Sequence, residues 1–284
     1  MSSNYRFLIA DSETAGERDE RRRSAGKSAG ETYAVTLGQM APGCAVTIVT
    51  PCDPGWRAMT LAELRYDAVF LSGSPLHVYC DTPETRRQIA FMRLVFVSGV
   101  PSFGSCAGLQ VAVAAAGGTV RKMPDRHEAG IARRITATEA GRGHPLLDGR
   151  APVWDALAAH GDEVERLPDG AMLLATNAAA HVQAAEIRSG RGVFWGVQYH
   201  PELALGEIAA ALRRDAEDLV DAGLADSPDH VEAQAVLFDQ LHRDPNSRDV
   251  RWRLGVDDSV ALEDQRRTEL RNFIDHIGTA ALRG

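Results

Sequence analysis

Short apolar runs bounded by turn residues recur through the first part of the chain: Phe7 to Ala10, Val46 to Val49, Ala68 to Leu71 and Val100 to Phe103. Stretches with helical spacing lie between or beside them, near Glu31 to Met40, Leu61 to Arg65, Pro83 to Val97 and Ala107 to Ala116. Such alternation predicts an α/β fold, an open and mostly parallel sheet with helices on both faces. From Ile131 to Val197 the texture shifts to strands with few helices, at Ile131 to Thr138, Val153 to Leu157, Met172 to Ala175, Val182 to Ile187 and Val193 to Val197. These extend the same domain as an antiparallel or mixed continuation. After Glu202 amphipathic helical runs take over, from Gly206 onward, from His230 to Leu241 and from Leu262 to Ile277. The expectation is an α/β domain over residues 1–205 and a helical C-terminal extension over 206–284.

One stretch breaks the pattern. Glu17 to Gly30, ERDERRRSAGKSAG, is charged and small and has no apolar stripe. It predicts a mobile charged loop over 12–30, in which Arg21, Arg22 and Arg23 are either solvated or meet an anion. The extension is different, because Ile208, Leu212, Leu219 and Leu224, then Val231, Ala235, Phe238 and Leu241, and finally Leu270, Phe273 and Ile277 recur at helical spacing. Such stripes must be buried, against the chain's own α/β domain or in a homodimer or partner surface.

Composition narrows the function classes. In 284 residues, 44% hydrophobic and 25% charged side chains exclude disorder as the main state. The excess of 39 acidic over 31 basic residues argues against nucleic-acid binding, which needs a basic face. No apolar run approaches the roughly 20 residues of a membrane span, and the N-terminus lacks the features of a signal peptide, so a cytoplasmic location is expected. The four cysteines form no CxxC pair, and no His or Cys spacing suggests a metal site or a cofactor.

Context singles out one cysteine. In PSFGSCAGLQ, Pro101 to Gln110, a strand runs into Gly104, Ser105, Cys106, Ala107 and Gly108 and then into an alanine-rich helix. A nucleophile on a sharp strand-to-helix turn needs small residues two positions to either side, and Gly104 and Gly108 supply them. The helix N-terminus favours thiolate over thiol. A small residue buried in a tight turn would leave the same local pattern. A second motif, GVQYHPE from Gly196 to Glu202, ends a strand at His200. Pro201 holds the chain extended, so His200 and Glu202 point the same way and the carboxylate can orient the imidazole. Both motifs in one α/β chain, the histidine 94 and the glutamate 96 residues after the cysteine, favour a Cys-His-Glu triad over two unrelated turns.

GSCAGLQ and GVQYHPE resemble the two signature motifs of the class I, or triad-type, glutamine amidotransferases. LSGSPLHVY (Leu71 to Tyr79) is similar to that family's Gly-Gly-Pro region, with Ser72-Gly73-Ser74 in its place. AAHGDEVERLPDGAMLLA (Ala158 to Ala175) resembles its His-Gly-Asp-x-Val stretch. The likeness spans about residues 5 to 205 and is nearest to stand-alone bacterial members similar to the glutaminase domain of GMP synthase. It implies a flavodoxin-like fold and a γ-glutamyl thioester on Cys106. It further implies an oxyanion hole from the backbone of Ala107 with Gly73 or Ser74, and substrate contacts from Gln110 and His160. The bare sequence allows His160 a structural role instead.

No Gly-rich phosphate loop follows residue 205. The leading expectation is therefore a glutaminase subunit passing ammonia to a synthetase in trans. That partner is expected to dock near the 12–30 loop. The alternatives are a γ-glutamyl hydrolase acting on an amide other than glutamine, and a non-catalytic binding or regulatory module.

Overall fold

The computed structural model describes residues 5–124 and 127–281. In chain order the first elements are β1 (Arg6–Ala10), α1 (Ala15–Ala25), α2 (Ala29–Met40), β2 (Ala45–Val49), β3 (Ala68–Leu71), α3 (Pro83–Ser98), β4 (Ser102–Ser105) and α4 (Ala107–Ala115). Then come β5 (Thr119–Lys122), β6 (Glu128–Ala137), α5 (Glu139–Arg142), β7 (Val153–His160), β8 (Asp162–Arg166), β9 (Met172–Thr176), β10 (Ala184–Ser189) and β11 (Gly192–Val197). The C-terminal helices are α6 (Leu205–Arg214), α7 (Ala216–Asp221), α8 (Pro228–Arg243), α9 (Arg248–Leu254), α10 (Asp258–Ala261), α11 (Glu263–Arg266) and α12 (Thr268–Ala281).

Nine strands form one mixed sheet in the order β2-β1-β3-β4-β11-β10-β9-β6-β7. Neighbours from β2 to β11 are parallel, and from β11 to β7 they are antiparallel. The parallel half follows from strands such as FLIA, which are apolar at every position because both faces are covered. Phe7 and Ile9 face one core with Phe70 and Phe103, while Leu8 and Ala10 face the other with Val69 and Leu71. Helices α3 and α4 cover the second core through Met92, Val95, Leu109 and Val113. On the first face α2 is joined by α12, whose Leu270, Phe273 and Ile277 enter the same core.

The extension is helical, as the periodicity predicted, and its burial is divided. Helix α12 closes the sheet, and Phe273 lies 5.5 Å from the Phe70 ring and 5.6 Å from the Phe103 ring. Helices α6, α8, α9 and α10 build a satellite core with Leu157 and Leu203. No helix among the described residues is long and apolar enough to cross a membrane.

Three local expectations are corrected. Residues 12–30 hold a regular helix, α1, where a mobile charged loop was expected. Thr14 and Glu17 make a capping box at its start, and Gly26 ends it at φ 80°. Its anchors are arginines: Arg18 donates to the Glu13 carbonyl and to Asp53, each at 2.6 Å. Leu61 to Arg65 is a turn with no helix. The strands β5 and β8, which the apolar pattern did not mark, pair in a separate two-stranded sheet.

Candidate functional site

The C-terminal ends of the parallel strands carry the site, as in open α/β sheets generally. Strand β4 ends at Ser105, and Cys106 turns the chain into α4 with φ 51° and ψ −113°, a conformation that L residues rarely adopt. The flanking glycines are needed. A Cβ on Gly104 would lie 3.0 Å from the Gly108 carbonyl carbon, and one on Gly108 would collide with the Leu71 carbonyl. The Cys106 N–H is held by the Val197 carbonyl at 2.9 Å, which fastens the elbow to the neighbouring strand.

That neighbour, β11, leads directly into His200. The imidazole Nδ1 lies 2.7 Å from Glu202 Oε1. The same oxygen accepts a hydrogen bond from Ser105 Oγ at 2.9 Å, and Ser105 accepts one from the buried Tyr33 hydroxyl at 2.7 Å. Glu202 is thereby positioned from β4 and α2 as well as from its own segment. Burial, the largest single influence on His200, opposes its charge, but the Glu202 carboxylate and the Cys106 sulfur together outweigh it and push the imidazole up to about 10. Gly73 completes this corner: a Cβ there would stand 2.8 Å from His200 Cε1 and 3.5 Å from Cys106 Cβ.

Cys106, His200 and Glu202 line one cavity of about 700 Å³ together with Gly73, Ser74, Gln110 and His160. Ala107 lies buried at the first position of α4, where its N–H has no intrahelical carbonyl to meet. Gln110 Nε2 donates to the Asp162 carbonyl and to Gln198 Oε1, each at 3.2 Å. His160 is tied at both ring nitrogens, to the Asp162 carbonyl and to Glu128 Oε2 at 3.0 Å each, so it orients the cavity wall more than it offers a free donor.

Other lining residues escaped the motif reading. Asp162 also lines the cavity, with Oδ2 2.7 Å from His77 Nδ1 and Oδ1 buried without a partner. Its signal was present, since it closes the His-Gly-Asp stretch in which only the histidine was singled out. Arg21 of α1 and Glu13, in the segment just before that helix, also line the cavity. Burial pushes the Glu13 carboxyl up to about 7, against the Ala29 N–H that it accepts at 2.8 Å. From the extension come Ala211 and Leu212 on α6 and Leu219 on α7.

The other cysteines are placed differently. Cys52 is buried, donates to the Ser12 carbonyl at 3.1 Å, and has its thiol pushed up to about 12 by burial. Burial also raises the Cys44 thiol. His144 is absorbed by Glu186 at 3.0 Å and by the Trp195 ring. Among the described residues no group of three or more His, Cys, Asp or Glu side chains is placed to hold a metal ion.

A strand-to-helix cysteine beside a glutamate-held histidine is the arrangement that the two motifs suggested, and the profile of class I glutamine amidotransferases matches residues 29–217. The chain belongs to that family. It is accordingly an amide-hydrolysing enzyme. It is 37% identical over 279 residues to a γ-glutamyl-L-1-hydroxyisopropylamide hydrolase of Pseudomonas sp., covering 96% of this chain and 92% of that one. It is 36% identical over 183 residues to the glutamine-hydrolysing GMP synthase of Thiobacillus denitrificans, covering 60% of this chain and 32% of that one. The chain thus spans about a third of the GMP synthase. A solved glutamine amidotransferase of Thermotoga maritima shares the fold with a TM-score of 0.65 at 16% identity, over 97% of this chain and 98% of that one.

Proposed function

We propose that this member of the family hydrolyses γ-glutamyl amides that carry a substituent on the amide nitrogen, using Cys106, His200 and Glu202 as a triad. The carrying observation is that the cavity around Cys106 is walled in part by α1, α6 and α7, so the chain builds its own surroundings for the leaving group. Consistent with this, the similarity to the γ-glutamyl-L-1-hydroxyisopropylamide hydrolase runs through α1 and most of the extension. The similarity to the GMP synthase covers 60% of the chain.

The Cys106 thiolate attacks the γ-carbonyl carbon, forming the C–S bond and an oxyanion that the Ala107 N–H and an N–H from Gly73 or Ser74 receive. Each such donor is worth about 3 kcal/mol. The His200 imidazolium gives its proton to the nitrogen as the C–N bond breaks, and the amine leaves. Neutral His200 then takes a proton from water, whose hydroxide attacks the thioester carbon. The C–S bond breaks, glutamate departs and the thiolate is restored. Asp162 is placed for the α-ammonium of the γ-glutamyl head, and Gln110 and His160 hold the wall on which the head rests.

The second reading is glutamine hydrolysis with ammonia passed to a synthetase in trans, supported by the likeness to the GMP synthase. The test is release of ammonia or amine by purified protein from glutamine and from a series of N-alkyl γ-glutamyl amides, repeated with Cys106→Ala. The expected outcome is preference for a substituted amide, with turnover and labelling by a glutamine-like electrophile both lost in Cys106→Ala. Preference for glutamine, further stimulated by a synthetase, favours the second reading. Activity that survives Cys106→Ala removes the triad from either.

A further inference from the structure

Glutamine needs polar contacts for its head and very little room beyond the scissile nitrogen, because released ammonia takes up about one water's share of volume, roughly 30 Å³. The cavity of about 700 Å³ instead falls in the range of sites for drug-sized molecules. Of its polar lining, Asp162, His77 and Gln110 suit the γ-glutamyl head. The lining from the extension carries the charged Arg214, Asp215, Asp218 and Asp221 beside Ala211, Leu212 and Leu219, and these three apolar side chains match nothing in glutamine.

We propose that α6 and α7 form a leaving-amine subsite selecting an aliphatic substituent, that Leu212 is its principal specificity-determining side chain, and that α1 holds it in place. The proposal rests on the reading of the chain as a γ-glutamyl amide hydrolase. The holding contacts are specific. Arg21 of α1 reaches Glu207 of α6 at 3.4 Å, and Glu207 Oε1 also accepts the Thr32 hydroxyl of α2 at 2.5 Å. From the far side α6 is fixed by Phe238 and Leu241 of α8 within the satellite core. A helix held on both sides presents Leu212 rigidly, and a rigid apolar wall discriminates by size and polarity. One methylene in such a pocket is worth about 10- to 200-fold in kcat/KM.

The experiment compares kcat/KM for γ-glutamyl-isopropylamide with that for glutamine and takes the ratio within each variant, so that the fraction of active protein cancels. The wild type is expected to favour the isopropylamide at least tenfold. Leu212→Gln is expected to lower that ratio at least fivefold, and Leu212→Met to keep it within about twofold. Trp252→Gln, on α9 and 82% exposed, serves as a control that leaves the ratio unchanged. A wild-type preference for the isopropylamide that Leu212→Gln leaves unchanged overturns the subsite. A wild-type ratio at or below one, or failure to hydrolyse any γ-glutamyl amide, overturns instead the reading on which it rests.

Discussion

Glu202 is where the sequence-level expectation and the geometry meet most closely at the residue scale. Two residues past His200 in an extended segment, it was bound to share a side with the imidazole. The sequence did not reveal the Ser105 and Tyr33 hydroxyls behind it, which come from β4 and α2. The resulting charge arrangement is testable. His200 is raised above its ordinary value, so the stabilisation it contributes is complete below about 6.5, the unfolded value, and is lost as pH rises towards 10. Proton donation to the leaving amine persists over the same range. Glu202→Gln removes the largest favourable charge, and His200 is expected to titrate at least one unit lower, with the alkaline limb of kcat/KM moving down with it. Imidazole NMR titration and a pH–rate profile check this, and an unmoved titration would detach Glu202 from His200.

Among the elements, α1 departs furthest from expectation. Apolar periodicity is blind to it because the helix has no apolar stripe, yet its end signals were legible: Thr14-x-x-Glu17 is a capping box and Gly26 a helix stop. Ser28-x-x-Glu31 starts α2 in the same way. What the sequence lacked was the destination of the arginines. Arg18 and Arg21 are mostly buried, and their partners lie up to 186 positions away. Arg18→Ala is expected to destabilise the protein by about 1 to 3 kcal/mol, because it leaves the buried Glu13 carbonyl unpaired. Amide exchange should rise selectively in residues 15–25. Uniformly unchanged exchange would mean that α1 holds without its anchor.

At the scale of the whole molecule, the C-terminal residues complete the fold. Phe273 of α12 meets Phe70, Phe103 and Trp195 across the sheet face. Nearby, Arg150 and Glu269 form a buried pair at 2.6 Å, with Tyr199 donating to the same carboxylate at 2.8 Å. Phe273→Ala is expected to cost about 3 to 5 kcal/mol, as a lower midpoint in urea, since it opens a cavity between three rings. A loss below about 1 kcal/mol would show that α12 is only an appendage.

By itself the sequence determined what depends on neighbours a few positions apart. It specified the alternation of apolar runs, the elbow at Cys106 between Gly104 and Gly108, and the extended His-Pro-Glu segment, because each is set by local backbone sterics and periodicity. Tertiary structure alone decided what depends on separate segments meeting: Tyr33 and Ser105 behind Glu202, Asp162 beside His77, and α12 on the sheet. It likewise brought Arg21 to Glu207 and Leu212 to the cavity of Cys106. Those contacts join residues tens to hundreds of positions apart. Only burial of the sheet faces and the satellite core brings them together, and that burial is a property of the folded chain as a whole.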